Sequence, residues 1–191
     1  DQSFFSKQLK FTGGFFWNRY RNLITTTFDA AFCAPFSTFG FCPQQIGEAS
    51  TKGWEAGVSY TYSSDRPFLK GVVVQANYTN TLTRDLVSHA RLPRWATDQW
   101  SASVAYQPID PLWITLIGRY VGSRFNTTGD RQPMSAFDVW SLAVTYDVTK
   151  QLQAYLRAEN LFNEKYEEVA SAGVPIRSIF GGVRVTFGGK T

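Results

Sequence analysis

The sequence of 191 residues lacks the features on which several common classes of protein depend. It has a single histidine, His89, no glycine-rich phosphate loop and no serine–histidine–aspartate set, so we expect no catalysis, no cofactor and no metal site. No stretch of about 18 uncharged apolar residues occurs, which excludes a transmembrane helix. Lysine and arginine are scattered and the net charge is only +4, so no nucleic-acid partner is expected.

Cysteine is scarce as well, and its two copies lie close together. Cys33 and Cys42 are separated by eight residues in a segment with Pro35 and Gly40. This pattern indicates a loop closed by a disulfide in an oxidising compartment, where such a short closure contributes about 2–3 kcal/mol. A metal site is the alternative, but two thiols and one remote histidine make a poor ligand set.

What the sequence does have is a high aromatic content, 16%, arranged in alternating stretches. Apolar residues separate from small or polar ones with a period of two, as in Trp100, Ala102, Val104 and Tyr106. A strand of about ten residues can cross a bilayer when tilted, whereas strands of soluble sheets usually have about five or six. The predicted fold is therefore an all-β, transmembrane antiparallel β-barrel. A soluble β-sandwich adhesin is the least favoured alternative. Eight strands are predicted, over 9–26, 52–63, 69–80, 97–107, 111–122, 136–147, 150–161 and 177–187.

The connections between these strands are alternately short and long. Short turns are expected at 63–68, 108–110 and 147–150, and long loops at 27–51, 81–96, 123–135 and 162–176. This asymmetry is typical of outer-membrane barrels, whose long loops face the exterior and whose short turns face the periplasm. It also predicts two aromatic girdles, with Tyr60, Tyr62, Tyr106 and Tyr146 at the periplasmic rim and Trp54, Trp100, Tyr120 and Trp140 near the outer rim.

Charged and amide side chains fall on the other face of the same strands. An arginine on the lipid face costs about 2–4 kcal/mol at the bilayer midplane, so this face must point into the barrel. There the side chains are expected to be solvated or to pair with a plug rather than to bind substrate directly. The predicted inward set is Lys10, Asn18, Glu55, Gln75, Asn77, Arg119, Gln153, Arg157, Glu159 and Arg184.

Seven short segments, in order along the chain, resemble motifs of the TonB-dependent outer-membrane receptors. Asn160–Tyr166 resembles the family's Asn-Leu-Phe turn, whose asparagine ends a strand where the backbone needs a turn former; we expect Phe162 and Tyr166 to anchor this turn at the outer interface. The final strand resembles the family's closing strand, although Gly188-Gly189-Lys190-Thr191 follow Phe187. Besides Asn160–Tyr166, the six segments that carry the resemblance are Tyr20–Ile24, Lys52–Glu55, Ala76–Thr79, Leu92–Arg94, Tyr120–Gly122 and Pro175–Arg177.

The resemblance implies that residues 1–191 are the last eight strands of a barrel of about 22 strands with a plugged lumen. The plug domain and the earlier strands are absent from this stretch. The implied function is uptake of a ferric siderophore or a cobalamin-like ligand across the outer membrane of a Gram-negative bacterium, energised by the TonB–ExbB–ExbD system. Lipopolysaccharide would be a further partner. The alternative is a self-contained eight-stranded barrel with a structural, adhesive or small-ligand-binding role.

Ligand contacts in such a receptor would come from the outer loops. The aromatic loop closed by Cys33 and Cys42 could present a stacking surface, although its phenylalanines could equally pack around the disulfide. Loop arginines could attract an anionic ferric complex, or could be solvated or bound to lipopolysaccharide phosphates. The candidates are Phe36, Phe39, Phe41, Arg84, Arg91, Arg94, Arg124 and Arg131.

Overall fold

The computed structural model describes residues 2–4, 8–22, 24–28, 33–35, 40–45, 47–127, 129 and 131–187, and these residues form thirteen β-strands. Among them there is no helix with the length and apolar character that a membrane crossing requires. The strands are β1 Gln2–Phe4, β2 Leu9–Arg21, β3 Ile24–Phe28, β4 Phe41–Gln45, β5 Glu48–Arg66, β6 Leu69–Asp85, β7 Asp98–Ile109, β8 Leu112–Val121, β9 Arg124–Thr127, β10 Arg131–Met134, β11 Phe137–Asp147, β12 Leu152–Glu159 and β13 Ser178–Val185.

Nine of these strands form one antiparallel sheet in the order β1-β2-β5-β6-β7-β8-β11-β12-β13. Its eight long strands are the eight that the alternation predicts. The short strand β1 is additional, and it pairs with the start of β2 through Gln2↔Phe11 and Phe4↔Leu9. Within the described residues β1 and β13 are the two edges and do not pair with each other. The sheet is therefore open, unlike the closed eight-stranded barrel considered as the alternative.

The pairing register sorts the side chains of the sheet into two unlike faces. One cross-strand row is apolar throughout and consists of Leu9, Tyr60, Val74, Val104, Leu116, Leu142 and Ala158. The neighbouring row on the opposite face consists of Lys10, Ser59, Gln75, Ser103, Ile117 and Ser141. Because only the first face suits hydrocarbon, we call it the outward face and the other the inward face.

Every member of the predicted inward set lies on the inward face. Asn77 pairs with Ser101, which pairs with Arg119, and Arg157 pairs with Ala143 in the neighbouring strand. Glu55 pairs with Thr79, and Arg184 pairs with Gln153. Strand alternation then carries Lys10, Asn18, Gln75 and Glu159 to the same face.

Short turns and long connections lie at opposite ends of the sheet, as predicted. The turns are 67–68, 110–111 and 148–151, and the long connections are 22–47, 86–97, 122–136 and 160–177. The predicted outer aromatics cluster on the outward face near the long connections. Trp100 stacks with Tyr120 at a centroid distance of 6.1 Å and meets Trp140 edge-on at 5.8 Å.

Three of the predicted strands have wrong limits. The predicted strand 9–26 stops at Arg21, and Ile24–Phe28 forms a separate strand. The strands predicted at 52–63 and 69–80 instead cover Glu48–Arg66 and Leu69–Asp85. Both extend beyond the aromatic girdle because their outer ends are covered: Ala49, Thr51, Thr83 and Asp85 are all buried.

Two of the long connections contain hairpins that the alternation does not predict. In the first, β3 pairs with β4 from Ile24↔Gln45 to Phe28↔Phe41. Cys42 lies in β4 and forms the predicted disulfide with Cys33, with 5.4 Å between their Cα atoms. The second hairpin pairs β9 with β10 from Arg124↔Met134 to Thr127↔Arg131.

Candidate functional site

The inward face ends, near the long connections, in a compact group of charged and aromatic side chains that we call the rim cluster. It consists of Arg119 at the outer end of β8, Arg124 of β9, Phe137 of β11, and Tyr166 and Glu168 of the 160–177 loop. The centroid of the Phe137 ring lies 5.4 Å from the guanidinium carbon of Arg119 and 5.3 Å from that of Arg124. Tyr166 stacks on Phe137 at 4.2 Å.

Arg124 is the buried member of the rim cluster, with 5% of its surface exposed. Its Nη2 donates to the Glu167 carbonyl oxygen at 2.5 Å, so it ties the β9–β10 hairpin to the 160–177 loop. Its Nη1 has no partner among the described residues. Burial lowers the pKa of Arg124, with Arg119 acting in the same direction and Glu168 opposing it. A guanidinium stays protonated under such shifts, so this cation is permanent.

Arg119 is the accessible cation of the rim cluster. Its Nη2 lies 2.6 Å from Glu168 Oε1, and its side chain remains 46% exposed. Arg119 pairs with the Glu168 carboxylate, whereas Arg124 donates only to backbone carbonyl oxygens. The rim cluster therefore contains two cations and one carboxylate, which leaves it with a positive charge.

A cavity of about 290 Å³ lies directly beside Arg119, beneath the 160–177 loop. Arg119, Ser141 and Glu159 of the inward face line its wall, and Asn160, Tyr166 and Pro175 line its outer side. It therefore combines both signs of charge, hydroxyl groups and an aromatic ring with the apolar side chains of Ile117, Val139 and Ile176. Such a mixture suits a polar ligand with anionic oxygen atoms.

Asn126 of β9 joins three of the long connections to one another. Its Oδ1 accepts hydrogen bonds from Arg94 Nε at 3.2 Å and from the Ala170 backbone at 3.4 Å. The Arg94 backbone N–H donates to the Phe125 carbonyl at 2.6 Å, and the Arg91 guanidinium lies 4.7 Å from the Phe125 ring centroid. The loops around the rim cluster are therefore linked by specific polar contacts.

One predicted ligand-binding residue, Arg124, belongs to the rim cluster, and two others lie on or against the β9–β10 hairpin. Arg91 lies over the ring of Phe125, the residue that follows Arg124 in β9. Arg131 belongs to β10 of the same hairpin. Arg84, in contrast, pairs with Ser50 on the outward face. Phe41 lies in β4 opposite Phe28, while Phe36 and Phe39 are outside the described residues.

Sequence reasoning missed the assembly of the rim cluster. It assigns Arg119 to the inward face correctly, but it places Tyr166 at the outer membrane interface. Tyr166 instead stacks on Phe137 at the inward face, while Phe162 of the same motif is 70% exposed. The available signal was the position of Arg119 and Phe137, which lie near the outer ends of neighbouring strands on the inward face.

A second cavity, of about 570 Å³, lies at the short-turn end of the sheet. Asp110, Asp147, Gln153 and Arg184 contribute to its lining, and Gln153 Nε2 donates to Asp147 Oδ1 at 2.7 Å. It is separated from the rim cluster by the full length of the strands.

Comparison with known proteins gives one family and a consistent set of solved structures. Residues 2–161 match the model of the family described as TonB dependent receptor-like, beta-barrel. The copper transporter OprC is similar over 94% of this chain and 29% of its own, with a TM-score of 0.74 and 15% identity. The ferripyoverdine receptor of Pseudomonas aeruginosa is similar over 96% of this chain and 25% of its own, with a TM-score of 0.65 and 22% identity.

The ferric-catecholate import receptor Fiu of Escherichia coli is similar over 94% of this chain and 25% of its own, with a TM-score of 0.64 and 19% identity. At these identities the likeness concerns the fold. The chain spans between a quarter and three tenths of the length of these three proteins.

Proposed function

Because this chain belongs to the TonB-dependent receptor-like β-barrel family, we propose that it forms the C-terminal barrel portion of an outer-membrane receptor that takes up a metal-bearing ligand. The open sheet with two unlike faces supports this assignment. A plug domain and earlier strands would complete the barrel, and TonB with ExbB and ExbD would energise transport. Lipopolysaccharide would surround the outer half. The receptor would move its ligand without catalysis.

The ligand that we propose is a ferric siderophore. Proteins with the same fold carry names that refer to ferripyoverdine, ferric catecholate and copper, which supports a metal-bearing ligand in general. The excess of positive charge in the rim cluster favours an anionic complex over a neutral one. A cobalamin-like ligand is the competing class, and a binding experiment separates the two.

The observation that carries this proposal is the position of Arg119. It projects from the inward face at the outer end of β8, lines a cavity of about 290 Å³ and is 46% exposed. A guanidinium there is available to the carboxylate, hydroxamate or catecholate oxygens of a ferric complex. Arg91, Arg131 and the phenylalanines Phe36, Phe39 and Phe41 would add contacts from the loops, whereas the buried Arg124 would act by holding the loops in place.

The test uses the whole receptor that contains this chain, purified in detergent and titrated with ferric hydroxamate, ferric catecholate and cyanocobalamin while its tryptophan fluorescence is recorded. Arg119→Gln should weaken binding of an anionic ferric complex about tenfold, since it removes a charge-assisted hydrogen bond. Arg66→Gln is the matched control, because Arg66 is exposed at the short-turn end of β5.

Glu168→Gln separates a direct role of Arg119 from a structural one. It breaks the ion pair with Arg119 but leaves the cation in place, so binding of a ferric complex should be retained or become tighter. Equal losses in Arg119→Gln and Glu168→Gln would show that the pair only stabilises the loop. Absence of binding to all three ligands would overturn the proposed ligand classes.

A further inference from the structure

A cluster of basic residues lies on the outward face, on the side of the sheet away from the proposed ligand site. Its members are Arg19 and Arg21 of β2, Lys52 of β5 and Arg84 of β6, and we call them the outer basic patch. Pairing places Arg19, Ser50 and Arg84 in one cross-strand row. The next row toward the short turns contains Trp17, Lys52 and Leu82. Lys52 and Arg84 are therefore diagonal neighbours, with Cα atoms about 7–8 Å apart.

Large apolar side chains lie beside Lys52 and in the next row toward the short turns, on the same face. Phe15 pairs with Trp54 in the following row. Phe15, Trp17 and Leu82 are 90%, 78% and 49% exposed, and Trp54 is 40% exposed. Exposed aromatics of this kind mark the level at which a barrel meets lipid headgroups. Lys52 precedes Trp54 by two residues and lies about 7 Å further along the strand toward the long connections, so the patch lies at and just beyond the headgroup level.

The charge of the patch is not balanced by its surroundings. Glu48 is its one acidic neighbour in these outer rows, and it is shared between Arg19 and Arg21, whose Nε atoms lie at 3.0 Å and 3.7 Å from its carboxylate oxygens. Lys52 and Arg84 are exposed and have no hydrogen bond or ion pair among the described residues. Asp98, one row closer to the membrane centre, accepts hydrogen bonds from Tyr78 at 2.5 Å and from Asn80 at 2.8 Å.

From this arrangement we propose that the outer basic patch binds the phosphate groups of a phosphorylated glycolipid of the outer leaflet, with Lys52 and Arg84 as its central contacts. The proposal rests on the outer-membrane location given under Proposed function, but not on the transported ligand. The acyl chains lie against the exposed aromatics, and the sugar phosphates lie at the level of the cations. Two neighbouring cations without acidic partners match a phosphate dianion in charge and spacing. Free phosphate has the same charge but lacks the acyl chains that the aromatics contact.

The test measures glycolipid binding to the whole receptor, stripped of lipid in detergent, by native mass spectrometry. The probes are deep-rough lipopolysaccharide, the same lipopolysaccharide after enzymatic removal of its phosphates, and inorganic phosphate. The variant K52Q/R84Q removes two cations from the patch. The control R66Q/K150Q removes two exposed cations from the short-turn end of the sheet, out of reach of the outer leaflet.

We expect K52Q/R84Q to bind intact lipopolysaccharide at least about tenfold more weakly than the wild type, because each cation adds to the electrostatic attraction between the patch and the anionic lipid. R66Q/K150Q should bind intact lipopolysaccharide like the wild type. The wild type should bind dephosphorylated lipopolysaccharide about as weakly as K52Q/R84Q binds the intact form. The single variants K52Q and R84Q should each show part of the loss, which keeps the test informative if the double variant does not fold.

Three results of the lipopolysaccharide measurements would overturn the proposal. They are unchanged binding in K52Q/R84Q and both single variants, equal binding of dephosphorylated lipopolysaccharide by the wild type, and an equal loss in R66Q/K150Q. Displacement of the glycolipid by millimolar inorganic phosphate would also overturn it, because the site would then be a simple anion site. No transported ligand is present, so these outcomes are independent of the proposed uptake.

Discussion

The indole ring of Trp140 lies across the backbone of Gly118 on the neighbouring strand. The two residues pair directly between β11 and β8, and a Cβ at position 118 would lie 2.7 Å from Trp140 Cζ3. The ring has little freedom to move away, because its Nε1 donates to Asp138 Oδ2 at 2.7 Å and its edge meets Trp100 at 5.8 Å. The aromatic girdle therefore requires a residue without a side chain at position 118.

Gly118→Ala is expected to destabilise the barrel by about 1–3 kcal/mol, because the added methyl group forces Trp140 out of its contacts. Without such a clash, replacing glycine by alanine in a strand stabilises the fold by about 0.5–1 kcal/mol. A loss of stability in Gly118→Ala would therefore point to the contact with Trp140. The measurement is the urea midpoint of the whole receptor in lipid vesicles. Gly173→Ala is the control, since nothing lies within 4 Å of its added Cβ. Equal midpoints for the two variants would contradict the role of Gly118.

Asn160 combines a left-handed backbone with a full set of side-chain hydrogen bonds. Its φ is 50°, and it is 4% exposed. Its Oδ1 accepts from the Glu164 backbone N–H at 2.7 Å, and its Nδ2 donates to the Glu164 carbonyl at 2.9 Å. The side chain thus closes the turn that ends β12, and the turn-forming role predicted for this asparagine is confirmed.

Two substitutions separate the backbone requirement of Asn160 from its hydrogen bonds. Asn160→Gly keeps the favourable φ and loses the bonds, with an expected cost of about 1–2 kcal/mol. Asn160→Ala loses both, with an expected cost of about 2–4 kcal/mol. Thermal unfolding of the whole receptor provides the comparison. If alanine were tolerated as well as glycine, the backbone conformation at this position would carry no cost.

The eight strands could be predicted because each separates an apolar face from a polar one. The pairing register between neighbouring strands then keeps apolar residues beside apolar ones and polar residues beside polar ones. The alternation fails where both faces are polar. In the outer part of β5, Thr51 precedes Lys52, and in β6, Thr83 precedes Arg84, so the extensions have no apolar signal. Their strand structure depends on tertiary contacts, such as the hydrogen bond from the Leu92 backbone to Thr83 Oγ1 at 3.1 Å.

The candidate site was less predictable than the strands. Sequence alone treats Arg91, Arg124 and Arg131 as equivalent loop cations, yet Arg124 is buried and bonded to backbone. Which arginine becomes buried depends on how the β9–β10 hairpin folds against the 160–177 loop, and no local pattern encodes that contact. The disulfide was predictable because two nearby cysteines in a loop have few other partners.

The disulfide Cys33–Cys42 is expected to stabilise only its own hairpin. It closes a loop within the 22–47 connection, and β3 and β4 pair with each other and not with the large sheet. Cys33→Ser with Cys42→Ser should therefore weaken the hairpin by about 2–3 kcal/mol, seen as faster hydrogen exchange over 24–45. The urea midpoint of the barrel should not change. A large drop in that midpoint would show that the hairpin supports the sheet as well.

Arg124 is expected to hold the 160–177 loop against the β9–β10 hairpin. Arg124→Met preserves length and apolar contact with Phe137 but leaves the Glu167 carbonyl without its donor at 2.5 Å. Local opening of the loop should become easier, with hydrogen exchange over 161–176 faster by about tenfold or more. Arg124→Lys should be intermediate, because an ammonium keeps the charge but not the planar geometry over the ring.

The control for this prediction is Arg177→Met, which removes an exposed arginine at the base of the same loop. It should leave exchange over 161–176 unchanged, so that an effect in Arg124→Met alone assigns the role to the buried guanidinium. The inward face of the barrel should be unaffected in both variants, since β8 and β11 pair through ten consecutive residue pairs that do not involve Arg124. Wild-type exchange in Arg124→Met would mean that the remaining contacts, Tyr166 on Phe137 and Glu168 with Arg119, are sufficient to fix the loop.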